Sequence, residues 1–228
     1  MPHLPGTIAS QDYFCEIVKE LTRGQLEVTP FIAADFVGGQ EVSSAVGSGV
    51  LEAGLWYSVY DMGKNSATAI IANNSMRMSS DRYLHWWYDG GGNELTNEIY
   101  NKWGCKAILI SVKGAQIVGQ FREEIDSLEK MKGKVLRAGG MGAMIYKELG
   151  LSTVEMAGGE IYTAMERGVI DMIEFGDPVD SVAMGFPEIA PYVLLPGWQE
   201  PGSTFLLLIN TDAWNELSPA LQRSVNLA

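Results

Sequence analysis

Residues 165–200, MERGVIDMIEFGDPVDSVAMGFPEIAPYVLLPGWQE, carry the pattern that most constrains the fold of this chain. After Gly168 the pattern predicts a strand over 169–175, then a helix from Pro178 to about Phe186. A second apolar run over 189–195 ends at a Pro-Gly pair. Short strands and helices in this order, separated by turns, predict an α/β fold.

The first of these strands places a carboxylate among apolar residues. Side chains alternate between the two faces of a strand, so Ile170, Met172 and Glu174 point the same way. A carboxylate in that position loses its hydration unless a cation or a donor meets it. Glu174 either lies in water at the open end of the strand or faces a cleft and, with Glu200, holds a cation. Ligands in open α/β sheets collect outside the carboxyl ends of strands.

Composition sets the broad class of protein. The chain has 228 residues, of which 46% are apolar, enough for one large or two modest domains with real cores. A formal net charge of −12 argues against nucleic acid or an anionic membrane as partner, because both require clustered Lys and Arg. No apolar run reaches the roughly 18 residues that a spanning helix needs. The first residues, MPHLPGTIASQDYF, show no export signal.

Cysteine and histidine are too few for a local zinc site. The chain has two of each, Cys15, Cys105, His3 and His85, and they lie far apart in sequence. Each cysteine is interpreted as a small buried apolar group, and a disulfide between the two stays open.

The first half of the chain contains five further segments with a regular pattern. Apolar spacing predicts helices over 7–21 and 40–51, and a longer helix from Ser80 to about Lys102. Alternation predicts a strand over 26–31, and the run AILISV predicts a buried strand over 107–112.

Three polar or aromatic positions in this half are candidates for a cleft. Gln116 follows the strand over 107–112 and is either a cleft amide or an exposed turn residue. Tyr57 and Tyr60 belong to an aromatic segment that either lines a cleft or forms ordinary core and rim.

An arginine stands in the strand-turn-helix unit that begins at Val135. Arg137 lies in an apolar strand just before the turn Gly139-Gly140, and the segment GGMG does not match the GxGxxG pattern of dinucleotide-binding sites. A guanidinium grips a carboxylate with two parallel hydrogen bonds. A structural salt bridge is the alternative role of Arg137.

The last part of the chain predicts a strand over 203–210 and helices over 211–217 and 219–227. The sequence ends inside an apparently unfinished helical pattern. We therefore expect that a C-terminal portion is lacking.

Four segments in this order resemble the DctP-type solute-binding proteins of TRAP transporters, and most closely those that bind 2-oxo acids and lactate with a metal ion. The segments are GAQIVGQFREEI (114–125), GKVLRAGGMGAMIYKELG (133–150), AGGEIYTAMERGVIDMIEFGDPVD (157–180) and APYVLLPGWQEPG (190–202).

The resemblance implies a two-lobe α/β fold of the type II-like periplasmic-binding-protein class, with a central ligand cleft and a long connecting helix. Residues 1–111 with 203–228 would form lobe I, and residues 112–202 would form lobe II. The lobes would close over a small organic anion by a hinge motion.

The resemblance also assigns roles by position. Arg137 matches the arginine that grips the ligand carboxylate. Gln116, Glu174 and Glu200 match the metal ligands, and Phe175 stands where the family contributes a backbone carbonyl to the metal. The ligand-binding set implied in this way is Arg137, Tyr60, Tyr57, Gln116, Glu174 and Phe175.

Three positions depart from the family pattern. Related proteins carry Trp at the position of Phe175 and a second aromatic residue at that of Gln199, which changes the expected pocket. Ala115 offers no polar side chain beside Gln116.

The function implied is that of an extracytoplasmic or periplasmic protein that binds a 2-oxo or 2-hydroxy monocarboxylate, such as pyruvate or lactate, and delivers it to the TRAP membrane subunits. Oxygen ligands predict Ca²⁺ or Na⁺ and no organic cofactor. Alternatives are a metal-dependent enzyme acting on an oxo acid, which lacks an evident general base, and a ligand-sensing module. Whether the protein forms a homodimer is left open by the sequence.

Overall fold

The computed structural model describes residues 5–32, 36–73 and 77–228, which fold into alternating helices and strands. The helices in this part of the chain are α1 (Pro5–Leu21), α2 (Val42–Gly47), α3 (Thr68–Ile71), α4 (Ser80–Asp89), α5 (Gly92–Tyr100), α6 (Leu128–Met131), α7 (Gly140–Glu148), α8 (Gly158–Glu166), α9 (Pro178–Ala183), α10 (Phe186–Ile189), α11 (Thr211–Glu216) and α12 (Pro219–Leu227). The strands are β1 (Ala53–Trp56), β2 (Cys105–Val112), β3 (Gly119–Phe121), β4 (Val135–Arg137), β5 (Ser152–Val154), β6 (Met172–Ile173), β7 (Tyr192–Leu194) and β8 (Thr204–Asn210). Two 3-10 helices cover Ser58–Asp61 and Asn101–Trp103.

The strands form two separate sheets, as an α/β protein with two lobes requires. The first sheet has three strands in the order β1-β8-β2, all antiparallel. The second has five strands in the order β5-β4-β6-β3-β7. In it, β4 runs parallel to β5 and β6, whereas β3 runs antiparallel to β6 and β7. The predicted fold class is confirmed.

The first sheet is covered on both faces, which explains the continuous apolar run of its central strand. Along β8, Leu206 and Leu208 pack into one buried cluster with Trp56. Leu207 and Ile209 pack into a second cluster on the opposite face. A strand buried on both sides has no polar face, so its sequence lacks the alternation of a half-exposed strand.

The second sheet is also packed on both faces. Met172 of β6 packs into the cluster that contains Tyr146 of α7. Its neighbour Ile173 packs into the opposite cluster, which contains Ile161 of α8. The strand predicted over 169–175 is therefore only Met172–Ile173, and its two side chains point to opposite faces as predicted. The predicted common face of Ile170 and Met172 is wrong, because Ile170 precedes the strand and packs with Ile173. Glu174 follows the strand at its carboxyl end.

Two chain segments cross between the sheets and are hydrogen-bonded to each other. One leads from β2 to β3 and the other from β7 to β8. The Lys113 N–H donates to the Ser203 carbonyl at 2.7 Å, and the Gln116 N–H donates to the Glu200 carbonyl at 2.9 Å. Helix α1, the longest among the described residues, contacts both β2 and α9 and so joins the two halves.

The strand predicted over 26–31 is wrong. The Thr22 hydroxyl accepts from the Leu26 N–H at 3.2 Å and donates to the Val18 carbonyl at 2.7 Å. This local bond uses the N–H of a residue that would otherwise pair in a sheet.

Glycine shortens the predicted helices. The helix expected from Ser80 to Lys102 is divided into α4 and α5, because Gly91 between them has a φ of 83°. That value lies in the left-handed region, which ends a right-handed helix. The helix expected over 40–51 covers Val42–Gly47, and Gly49 beyond it has a φ of 77°.

Two further features of the chain are resolved. Cys15 and Cys105 are free thiols, so they are not paired. Within residues 5–32, 36–73 and 77–228, none of the helices has the length and apolar character required to cross a bilayer.

Two glycines that lie in helices provide a test of this packing. A Cβ on Gly47 would lie 2.1 Å from the backbone oxygen of Trp103, whereas a Cβ on Gly159 would meet no atom within 4 Å. We expect Gly47→Ala to lower the free energy of unfolding by more than about 2 kcal/mol, because a backbone must move. The matched control Gly159→Ala should be neutral or raise it by about 0.5–1 kcal/mol. Urea unfolding measures both, and equal stability of the two variants would contradict the packing of α2 on residues 101–103.

Candidate functional site

A cleft lies where the crossing segments meet the two sheets, and its volume is about 680 Å³ including the part open to solvent. It brings together every site residue predicted from the sequence, namely Tyr57, Tyr60, Gln116, Arg137, Glu174, Phe175 and Glu200. They come from both sheets and from both crossing segments, and the sequence separates the first from the last by 143 positions.

Arg137 is the last residue of β4, and its guanidinium is fixed by backbone carbonyls. Nη1 donates to the Glu174 carbonyl at 2.9 Å, and Nη2 donates to the Met156 carbonyl at 3.0 Å. The guanidinium carbon lies 4.8 Å from the centre of the Phe175 ring. Nη1 is 4.0 Å from Glu174 Oε2, so the ion pair proposed as an alternative role is present but long. The side chain is thus rigid and positively charged at the cleft wall.

Glu174 follows β6 directly and is not in water. Its exposed fraction is 5%, so the interpretation of a wet carboxylate is wrong. Its N–H donates to the Arg137 carbonyl at 2.9 Å, which continues the pairing of β4 with β6. Its Oε1 accepts a hydrogen bond of 3.3 Å from Gln199 Nε2.

Glu200 lies in the crossing segment before β8 and is 4% exposed. Its Oε1 accepts from Ser203 Oγ at 2.7 Å and from the Tyr57 hydroxyl. Tyr57 directly follows β1, so this hydrogen bond connects the first sheet to the crossing segment that carries Glu200.

Burial sets the electrostatics of both carboxyl groups. Burial raises the pKa of Glu174 above its ordinary value, and repulsion from Glu200 raises it further, whereas the Arg137 guanidinium lowers it. Burial also raises the pKa of Glu200, against the hydrogen bonds from Tyr57 and Ser203, which lower it. Two buried carboxylates that repel each other across one cleft require added positive charge to ionise fully.

The Gln116 amide completes a set of oxygen donors suited to a cation. Its Nε2 donates to Ser203 Oγ at 3.3 Å, while its Oε1 is buried and accepts from no donor in the described part of the chain. The side chain is half-buried, so the interpretation as an exposed turn residue is wrong. An amide oxygen beside two carboxylates fits a hard cation such as Ca²⁺ or Na⁺. Among the described residues, no group of three or more His, Cys, Asp or Glu side chains is arranged to hold a metal ion.

A buried aspartate, Asp61, holds the aromatic segment in place through hydrogen bonds. Asp61 accepts from Trp56 Nε1 at 2.5 Å and from the Tyr100 hydroxyl at 3.0 Å. These bonds hold the 3-10 helix that carries Tyr60, whose ring centre is 5.7 Å from that of Tyr57. Burial raises the pKa of Tyr60 to about 12, so its hydroxyl stays neutral and able to donate.

Several residues of the site were not singled out from the sequence. Those that line the cleft include Lys113, Ser203, Asp180 and Phe205. Lys113 directly follows the apolar strand β2, and that position at a strand end was the signal used for Glu174. Gln199, noted only as a departure from the family, donates to Glu174.

Comparisons with known proteins show which proteins this chain is similar to. The family model described as bacterial extracellular solute-binding protein, family 7 (DctP), matches residues 5–228. A monocarboxylate 2-oxoacid-binding periplasmic protein of Nostoc sp. is 34% identical over 221 residues. The match covers 97% of this chain, which spans only 61% of the length of that relative.

Two crystal structures share the fold. A TRAP transporter solute-binding protein from Bordetella bronchiseptica, with calcium and picolinate bound, superposes with a TM-score of 0.92 and 31% identity over 100% of this chain and 68% of that one. A TRAP periplasmic solute-binding protein from Pseudoalteromonas atlantica, with sodium and pyruvate bound, has a TM-score of 0.90 and 31% identity over 99% of this chain and 68% of that one. This chain belongs to the DctP family of bacterial extracellular solute-binding proteins.

Proposed function

We propose that this protein binds a small 2-oxo or 2-hydroxy monocarboxylate together with Ca²⁺ or Na⁺ outside the cytoplasm, and delivers it to the membrane subunits of a TRAP transporter. The observation that carries the proposal is the convergence of one guanidinium and two buried carboxylates, Arg137, Glu174 and Glu200, on one cleft. The pyruvate, picolinate and 2-oxoacid named for the relatives support it.

Each predicted residue has a role in this proposal. Arg137 binds the carboxylate of the solute, and Tyr57 and Tyr60 contact it from the first sheet. The cation ligands are the Gln116 amide oxygen, the carboxylates of Glu174 and Glu200, and the backbone carbonyl of Phe175. Gln116, Glu174 and Phe175 also face the solute. When bound, the cation supplies positive charge to the carboxylate and to the 2-oxo or 2-hydroxy oxygen.

The charge of the cleft explains why a cation is needed. An entering anion meets two buried carboxylates and one guanidinium at this end of the cleft, which together carry a net negative charge when both carboxylates are ionised. A monovalent cation held by Glu174 and Glu200 neutralises that charge, and a divalent cation makes it positive. A solute whose carboxylate neighbours a second oxygen or nitrogen can chelate the cation, as picolinate and pyruvate can, whereas a plain fatty acid cannot.

We also propose the lobe assignment that the resemblance implies, with residues 1–111 and 203–228 in lobe I and 112–202 in lobe II. The assignment is supported by the separation of the strands into two sheets and by the crossing segments. The hydrogen bond from Tyr57 to Glu200 would then form only as lobe I approaches the crossing segment.

Binding without chemistry is the function that the site favours over catalysis. Two of the cleft carboxylates, Glu174 and Glu200, are assigned as cation ligands, and no described histidine lines the cleft. His85 is exposed on α4, away from the site. In this assignment neither of these two carboxylates is left to act as a general base on the solute.

Binding should stabilise the protein against heat. At about 100 times its dissociation constant, pyruvate or lactate should raise the free energy of unfolding by about 2.7 kcal/mol, which corresponds to a rise in melting temperature of about 5–10 °C. Acetate and propionate serve as controls that lack the 2-oxygen. EDTA should remove the rise for a calcium site, and replacement of sodium by choline should remove it for a sodium site. Equal shifts from propionate and pyruvate would contradict chelation, and turnover of either acid would favour an enzyme.

Arg137 should contribute to affinity through its planar guanidinium group and not through its charge alone. Arg137→Lys retains the charge but loses the planar fork, so we expect the dissociation constant for pyruvate to rise by about 10-fold to 100-fold. Isothermal titration calorimetry measures it, and exposed Arg167→Lys is the matched control. Unchanged affinity would remove Arg137 from the site.

The stability of the cation-free protein should depend on pH through the two buried glutamates. Their folded-state pKa values are raised, so the folded state binds more protons than the unfolded state above their ordinary range. In EDTA and choline, the free energy of unfolding should therefore rise as pH falls from about 8 to about 5. Glu174→Gln should flatten this slope, while exposed Glu148→Gln should not. A slope that is unchanged in Glu174→Gln would contradict the assignment.

A further inference from the structure

A second charged cluster lines the cleft and has no role in the binding proposed above. Lys113, at the end of β2, places Nζ 2.7 Å from Asp180 Oδ2 and 3.9 Å from Asp177 Oδ2. Asp177 caps α9, and Asp180 lies in its first turn. All three residues line the same cleft as Arg137.

The charge of Lys113 is already matched by these aspartates. Its side chain is 10% exposed and that of Asp180 is 1% exposed, so the pair is buried. A second carboxylate on the solute could take Lys113 only by separating a short buried ion pair, which is strongly unfavourable. Arg137, by contrast, donates to backbone carbonyls and lies no closer than 4.0 Å to a carboxylate oxygen in the described part of the chain.

Asp180 has one oxygen that is used and one that is not. Oδ2 accepts from Lys113 Nζ, and from the Asp177 N–H at 3.5 Å. Oδ1 is buried and accepts from no donor among the described residues. A buried carboxylate oxygen without a donor is unfavourable. Because Asp180 lines the cleft, a donor brought by the solute to this residue would satisfy that oxygen.

The remaining charges of the cleft also disfavour a second carboxylate on the solute. Counting the described residues, its walls carry five carboxylates, from Glu155, Glu174, Asp177, Asp180 and Glu200, but only two cationic side chains, Lys113 and Arg137. Even with a divalent cation at Glu174 and Glu200, the walls do not carry a net positive charge. The cleft can therefore compensate the first carboxylate of a solute at Arg137 but has no such means for a second.

We propose, on the basis of the function above, that Asp180 held by Lys113 forms a second subsite for the distal end of the solute. The subsite accepts a hydrogen bond from a hydroxyl or ammonium group and rejects a carboxylate. The preferred solute is then a 2-oxo or 2-hydroxy monocarboxylate that carries a donor on its far carbon.

Three four-carbon acids that differ only at the far carbon test this subsite. They are 2-hydroxybutyrate, with a methyl group, 2,4-dihydroxybutyrate, with a hydroxyl, and malate, with a carboxylate. We expect 2,4-dihydroxybutyrate to bind on the order of tenfold more tightly than 2-hydroxybutyrate, because the new hydrogen bond is to a charged acceptor. Malate should bind more weakly than both. Calorimetry with calcium or sodium present measures all three.

The outcomes separate the subsite from the proposed function. Equal affinity for 2-hydroxybutyrate and 2,4-dihydroxybutyrate, or tighter binding of malate, would overturn the subsite while leaving monocarboxylate binding in place. Failure of all three acids and of pyruvate to bind would overturn the proposed function itself. These comparisons use the unaltered chain and do not depend on the folding of a variant.

Asp180→Asn then tests the residue. Loss of the charge should reduce the preference for 2,4-dihydroxybutyrate over 2-hydroxybutyrate towards unity and reduce the disadvantage of malate. The control Asp126→Asn alters an aspartate with a lysine partner at 2.9 Å that lies exposed outside the cleft, and it should leave the ratio unchanged. A ratio that stays the same in Asp180→Asn would assign the selectivity to another residue.

Discussion

The electrostatic state of two buried carboxylates determines how this protein can work. Glu174 and Glu200 are almost fully buried. Burial raises the pKa of both carboxyl groups, and repulsion from Glu200 raises the pKa of Glu174 further. One guanidinium nearby does not balance both. In the proposed function a cation completes this site, so solute binding and cation binding would be linked and each would strengthen the other.

The fold supplies the rigidity that this linkage requires. Arg137 and Glu174 are joined by the pairing of β4 with β6, since the Glu174 N–H and carbonyl both bond to Arg137. Glu200 and Gln116 are joined by the hydrogen bond between the crossing segments. The two halves of the proposed cation site therefore lie on different parts of the fold, one in the second sheet and one in the crossing segments. A relative motion of these parts would change the site directly.

The sequence predicted the local parts of this arrangement and missed the long-range ones. Apolar runs located β2, β4 and β8, and the position of a charged residue at a strand end singled out Arg137 and Glu174. Glu200 was proposed as a cation ligand together with Glu174 from the pattern. The metal-ligand role of Gln116 and the solute contact of Tyr57 came from the family resemblance, because spacing alone does not show that residues 57 and 200 meet. The buried pair of Lys113 and Asp180 joins residues 67 positions apart, and no local pattern indicates it. The break at Gly91 and the local bonds of Thr22 were not predicted. The helix and strand predictions relied on the spacing of apolar residues, and at each place a single glycine or hydroxyl had the stronger effect on the backbone.

Packing behind the site restricts the size of its aromatic wall. The Phe175 ring lies under Arg137 and packs edge-on against Phe186, with ring centres 6.2 Å apart. A Cβ on Gly158 would lie 2.9 Å from the tip of the Phe175 ring, so that ring already fills the space above α8. A tryptophan at position 175, which the family resemblance implies for related proteins, could not extend in this direction without moving α8. Phenylalanine supports the guanidinium without that displacement.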